Sequence, residues 1–176
     1  MAIWLRNILV AFTLCTSLPG IVAMSLAGES AAGVDAVDVV DMARRISQRT
    51  GRPSVVLLYA TTCPLSQQMF PEFVAVFKEY QRRGGDFLVF STDKAENAYW
   101  IPVFLSKHGA NFAPVLVRPW APGSLDRALS PLGIQVGSTW TRPLVAVRDR
   151  DGRVIGQSQG VTDLSGVRAA LDAVTR

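Results

Sequence analysis

Ser54-Val55-Val56-Leu57-Leu58-Tyr59-Ala60-Thr61-Thr62-Cys63-Pro64-Leu65-Ser66 is the stretch whose reading decides the fold. An apolar, β-prone run from Val55 to Tyr59 ends in small polar residues that lead straight into a helix headed by a cysteine and a proline. Proline suits the first helical position, because its φ is already helical and its missing N–H would have had no partner there. Cys63 is thereby expected at or beside the N-cap, facing the unpaired N–H groups of the first turn. The nearly continuous apolar character of Val55 to Tyr59 is that of a central strand covered on both faces. In the helix beyond, Met69, Phe73, Val76, Phe77 and Tyr80 recur at helical spacing and predict a core-facing stripe. Pro71 is expected to bend or loosen that helix, and Gly84-Gly85 to end it.

Working outward, Val34, Val37, Val40, Ala43 and Ile46 recur at three-residue spacing and predict a helix from Val34, closed by Gly51 and Pro53. On the C-terminal side, Phe87 to Phe90 predicts a second strand. Ser91-Thr92-Asp93 predicts the opening of a helix through about Lys107, and Val115 to Val117 a third strand. A loop from Pro119 to Gly123 precedes a short helix from Ser124 to about Ser130. Leu144 to Arg148 and Val154 to Gln157 read as strands joined by Asp149-Arg150-Asp151-Gly152, an Asp-Gly hairpin signal. Thr162 is expected to cap a last helix carrying Leu164, Val167, Leu171 and Val174 on one side. This alternation argues for an α/β domain with a central mixed sheet flanked by helices.

At 176 residues and 49% hydrophobic, the chain can hold one good core, and one domain is expected, over residues 34–176. The net charge of +4 is spread without a Lys/Arg run of five or more. This implies a solvated basic surface, and no nucleic acid is expected as a partner. The first residues differ: Arg6 precedes an uncharged apolar run, Pro19-Gly20 break it, and Ser25-Leu26-Ala27 is similar to a small-x-small cleavage site. That order describes a signal peptide over residues 1–27. The alternative is an N-terminal membrane anchor, since Ile8 to Ala27 carries no charge and a bilayer span takes roughly 20 residues. Residues 28–33 read as a linker. Either reading places the domain outside the cytoplasm, periplasmic or otherwise extracytoplasmic. Of the two cysteines, Cys15 lies in the export segment. Its removal leaves Cys63 alone, to pair between molecules, to remain a reactive thiol, or to serve as a small core residue.

The strand, the Thr62-Cys63-Pro64 turn and the helix resemble the active-site unit of the thioredoxin-like superfamily, in particular its exported bacterial envelope branch for thiol-disulfide interchange. The likeness extends over Phe87 to Asp93, Phe104 to Leu116, Leu132-Gly133-Ile134, Arg142-Pro143-Leu144 and Asp149 to Gly152. The resemblance implies a thioredoxin-like fold with an inserted strand-helix segment between Asp93 and Gln135. It also implies that Pro143 is a cis-proline lying against Cys63. Three positions depart from the pattern. Ser66 stands where the second cysteine of Cys-x-x-Cys would be, Thr62 replaces the usual tryptophan, and Leu57 replaces a buried proton-shuttling acid.

What remains is monothiol chemistry. A thiolate is the nucleophile, free cysteine has a pKa of about 8.5, and a helix N-terminus favours the anion by about 0.3–2 kcal/mol. The helix start therefore predicts a reactive Cys63 with Ser66 one turn away, and the resemblance implies Pro143 as a further catalytic companion and Thr62, Pro64 and Arg142 in contact with substrate. Partners would be envelope protein thiols or disulfides, with a small external thiol for release, because position 66 offers no resolving sulfur. The alternative is a redox-inactive scaffold that binds a partner in the groove beside Pro143. A peroxiredoxin-type peroxidase is disfavoured by Val56 and Ala60, which occupy the positions of that family's Pro and Thr. No cofactor and no metal are expected, since Cys63 and the lone His108 are too few ligands for a closed zinc or copper site.

Overall fold

The computed structural model describes residues 33–175. The expected export segment, nearly all of the linker and Cys15 lie outside the described residues. In chain order the elements are β1 (Asp35–Val37), α1 (Val39–Ser47), β2 (Ser54–Tyr59), α2 (Pro64–Gln81), β3 (Asp86–Ser91), α3 (Trp100–Lys107) and β4 (Val115–Val117). They continue as α4 (Ser124–Leu129), β5 (Leu144–Arg148), β6 (Val154–Gln159) and α5 (Ser165–Val174), with 3₁₀ turns at Ala95–Asn97 and Ser130–Leu132.

The strands form one sheet in the order β1-β4-β3-β2-β5-β6. β2 runs parallel to β3, β3 to β4 and β4 to β1, whereas β5 is antiparallel to β2 and β6 to β5. Every residue of β2 is buried, and alternate side chains divide between two apolar layers. Val55, Leu57 and Tyr59 meet α2, α3 and α5 through Phe70, Phe104 and Leu171. Val56 and Leu58 meet α1 and α4 on the other face through Met42, Ile46 and Leu129. The helix stripe read from Met69 to Tyr80 is buried throughout, joined by Phe70 and Val74. α2 continues through Pro71 without a break.

Three boundaries differ from the sequence reading, each because a side chain or a distant strand captures backbone that periodicity had assigned to a helix. Residues 35–37 pair with Val115, Leu116 and Val117 as an edge strand. Asp38 then takes the Val40 and Asp41 N–H groups, so α1 begins at Val39 and Val40 is 68% exposed. β3 extends through Ser91, and Asp93 bonds to a neighbouring loop instead of to a first helical turn, so α3 starts only at Trp100. Asp163, not Thr162, accepts the Ser165 N–H and hydroxyl at the start of α5. The expected hairpin is present: Asp149 accepts from the Asp151 and Arg153 N–H groups, and Gly152 adopts a φ of 82°.

Candidate active site

The sheet topology brings three chain segments to one place. β2 lies between β3 and β5, with Tyr59 opposite Ser91 and Leu58 opposite Leu144. Residues 60–63 at the end of β2 and 92–93 at the end of β3 therefore lie beside residues 142–143, at the start of β5. The ends of parallel strands beside such a change of direction are where open α/β sheets leave room for ligands.

Cys63 is the N-cap residue of α2, with extended backbone (φ −84°, ψ 119°) and Pro64 directly after it. Its side chain makes no cap hydrogen bond and is partly exposed. The Sγ lies 3.8 Å from the carbonyl oxygen of Arg142, and the Arg142–Pro143 peptide bond is cis. Thr62 and Pro64 flank the thiol in exposed positions, while Pro143 is buried. Ser66 is fully buried, and its hydroxyl oxygen accepts from the Ala60 N–H at 3.4 Å. Leu57 is a core residue.

Two residues that the sequence reading placed in a helix instead organise the site. Asp93, only 4% exposed, accepts through Oδ2 from the Thr61 N–H (2.8 Å) and the Ser91 hydroxyl (2.7 Å). Its Oδ1 accepts from the N–H and hydroxyl of Thr62 at 3.3 and 3.2 Å. Thr92 donates its hydroxyl to the Tyr59 carbonyl and accepts from Arg142 Nε at 2.6 Å. Ser91-Thr92-Asp93 thus joins the cysteine loop to the proline loop. The signal available in sequence was two hydroxyls and an acid closing a buried strand.

The Arg142 guanidinium also lies over the Trp140 ring, 4.5 Å from its centroid. Burial pushes Arg142 below its ordinary pKa, and the nearby Cys63 and Asp93 push it back up. Burial, reinforced by Asp93, raises Tyr59. His108 caps the far end of α3, its ring against Phe104 and Phe70. Next to Thr62 and Gln67, a groove of about 310 Å³ is walled by Trp100, Val103 and Lys107. Trp100 and Val103 stand 47% and 53% exposed there, and Tyr99 packs against Trp100, while Trp120 and Trp140 pack near each other against the α1/α4 layer. Among the described residues, no cluster of metal-ligating side chains occurs, and no helix is long and apolar enough to cross a membrane.

Neither a family model nor a curated protein sequence matches this chain. Solved structures do. A thiol:disulfide interchange protein of the thioredoxin family from Chlorobium tepidum is 22% identical with a TM-score of 0.57, over 76% of this chain and 85% of that one. A secreted Mycobacterium tuberculosis disulfide oxidoreductase is 17% identical with a TM-score of 0.52, over 71% and 84% of the two chains. An uncharacterized conserved protein from Geobacillus kaustophilus is 18% identical with a TM-score of 0.55, over 72% and 69%. The fold is thioredoxin-like, a mixed sheet between helices.

Proposed function

We propose that this protein forms and exchanges mixed disulfides with partner proteins through Cys63, as a monothiol thioredoxin-like protein of the cell envelope. The observation that carries the reading is the partly exposed Cys63 at the head of α2, its Sγ 3.8 Å from the carbonyl that precedes the cis-proline. Cys63 heads α2, where the first-turn N–H groups have no helical partners, and a thiolate is the form that attacks a disulfide. The edge of the proline loop offers backbone against which an extended partner can lie. Attack on a foreign disulfide links Cys63 to one partner sulfur and expels the other as a thiolate. Ser66 cannot attack that bond, so release requires a thiol from outside. In this reading Thr62, Pro64 and Arg142 border the bound partner, and residues 1–27 export the domain or anchor it at the membrane surface. The secreted Mycobacterium tuberculosis neighbour supports the extracytoplasmic placement.

The test is reaction with a neutral aromatic disulfide. The folded domain is expected to take up one equivalent, keep it after the reagent is removed, and lose it to an added small thiol. Cys63→Ser should take up none. A native protein that forms no adduct would overturn the reading.

A second reading, a partner-binding scaffold without turnover, is favoured by the exposed Trp100 and Val103 in the groove beside Thr62. In that case Cys63→Ser keeps partner binding in cells, while Trp100→Ala weakens it.

A further inference from the structure

We propose that Arg142 makes Cys63 selective for thiols and disulfides that carry a carboxylate next to the reacting sulfur. The inference rests on the exchange chemistry proposed for Cys63 and names its substrate class.

The guanidinium is fixed on two sides. Nε donates to Thr92 Oγ1 at 2.6 Å, and Cζ lies over the Trp140 ring, 4.5 Å from its centroid. With Nε engaged, the two terminal nitrogens form the remaining donor edge. Among the described residues no carboxylate pairs with that edge. The neighbouring acid, Asp93, has both oxygens engaged by Thr61, Thr62 and Ser91. Asp93 offsets part of the cost of half-burying this cation, but among the described residues no carboxylate bonds its terminal nitrogens, and an arriving anion supplies those bonds. A guanidinium fork fits a carboxylate with two parallel hydrogen bonds. Its stacking and its Nε bond fix it beforehand, so little side-chain freedom is lost on binding. The Arg142 carbonyl is 3.8 Å from Sγ, so the residue that would hold the carboxylate belongs to the loop that borders the thiol.

The reaction balances without a further reagent. The Cys63 thiolate bonds to one sulfur of a carboxylated disulfide, the S–S bond breaks, and the other sulfur leaves as a thiolate. A second carboxylated thiolate then attacks the mixed disulfide and restores the Cys63 thiolate. The carboxylate can belong to a free small thiol or to an acidic residue beside a protein cysteine.

The experiment compares rates for carboxylated dithiobisnitrobenzoate and neutral dithiodipyridine in the wild type, Arg142→Gln and Arg142→Lys. The ratio of the two rates cancels any change in the thiol itself. Arg142→Gln is expected to lower the ratio about tenfold. Arg142→Lys, which keeps the charge and loses the fork, should fall between. The wild-type preference should shrink at high salt. Peptide disulfides with Asp or Asn beside the cysteine form the second arm. A loss of Asp preference in Arg142→Gln assigns the carboxylate to protein partners, and a loss confined to the small reagent assigns it to a free thiol. Equal ratios in all three proteins, with no Asp preference, would overturn the inference while leaving exchange at Cys63 intact. Failure of the neutral reagent to react at all would instead strike the functional reading on which it rests.

Discussion

At the scale of single residues, the position of Asp93 has a measurable cost. Its two oxygens each accept two hydrogen bonds, and three of the four lead into the loop that carries Cys63. Asp93→Asn turns one acceptor into a donor that faces donors. A lost hydrogen bond to a buried charged group costs about 1.5–3 kcal/mol, and urea unfolding of the variant should fall by an amount in that range. A change below about 0.5 kcal/mol would mean that the loop holds itself. Ser66 bears on the chemistry: Ser66→Cys places a second sulfur one helical turn from the first. Under oxidation it should lose two hydrogens by mass, and it should release a bound thiol without help, which the wild type should not do. The place of Cys63 at the head of a helix was legible because strand, turn, Pro64 and stripe are contiguous. That Arg142 and Pro143 stand beside it was anticipated only through family likeness. Asp93 reads in sequence as opening a helix because its partners lie on the strand before it and in the cysteine loop, and nothing local distinguishes a residue that spans strands from one that caps a helix.

Elements show where local rules govern and where packing overrides them. Pro71 lies inside α2, where it removes a backbone hydrogen bond and crowds the preceding turn, yet the helix continues between Phe70 and Phe73, both buried. Pro71→Ala is expected to raise stability by about 1–3 kcal/mol in a denaturant titration, since proline inside a helix costs about 3 kcal/mol relative to alanine. A fall in stability would show that the proline ring is needed to seat both aromatic rings. The β5–β6 hairpin gives the opposite case. Gly152 has a φ of 82°, and a Cβ there would lie 2.6 Å from Arg148 Nη2. Arg148 is buried, donating to the Ile46 and Gly152 carbonyls, so it has little room to yield. Gly152→Ala should lose about 1–2 kcal/mol from backbone strain and more from displacing the guanidinium, read as a lower unfolding midpoint. The hairpin was readable because Asp-Gly carries its own geometry, as were β2 and β5, whose apolar runs are nearly unbroken. β1 was not: its three residues gain their identity only from β4, far along the chain.

For the molecule as a whole, the last helix is fastened to the cysteine-bearing one by a polar seam. Tyr80 donates to Asp172 at 2.7 Å, Arg83 joins Asp172 and Glu79, and Arg168 joins Glu79. Burial and the bond to Asp172 push Tyr80 up to about 12. The unfolded chain releases that proton near pH 10, so the folded state keeps it where the unfolded state has lost it. The contribution to stability is full below about pH 10 and is lost as pH rises through the folded value. Stability measured from pH 9 to 12 should fall steeply in the wild type and less steeply in Tyr80→Phe, where the likewise raised Tyr59 still contributes a slope of that kind. The seam was invisible to periodicity, which reports the apolar side of each helix and is silent on pairing across the other. The bridge from Ser91 to Asp93 has a consequence for engineering. A two-cysteine loop grafted from another protein would arrive without its strut, so a working chimera must carry residues 61–66, 91–93 and 140–143 as one cassette.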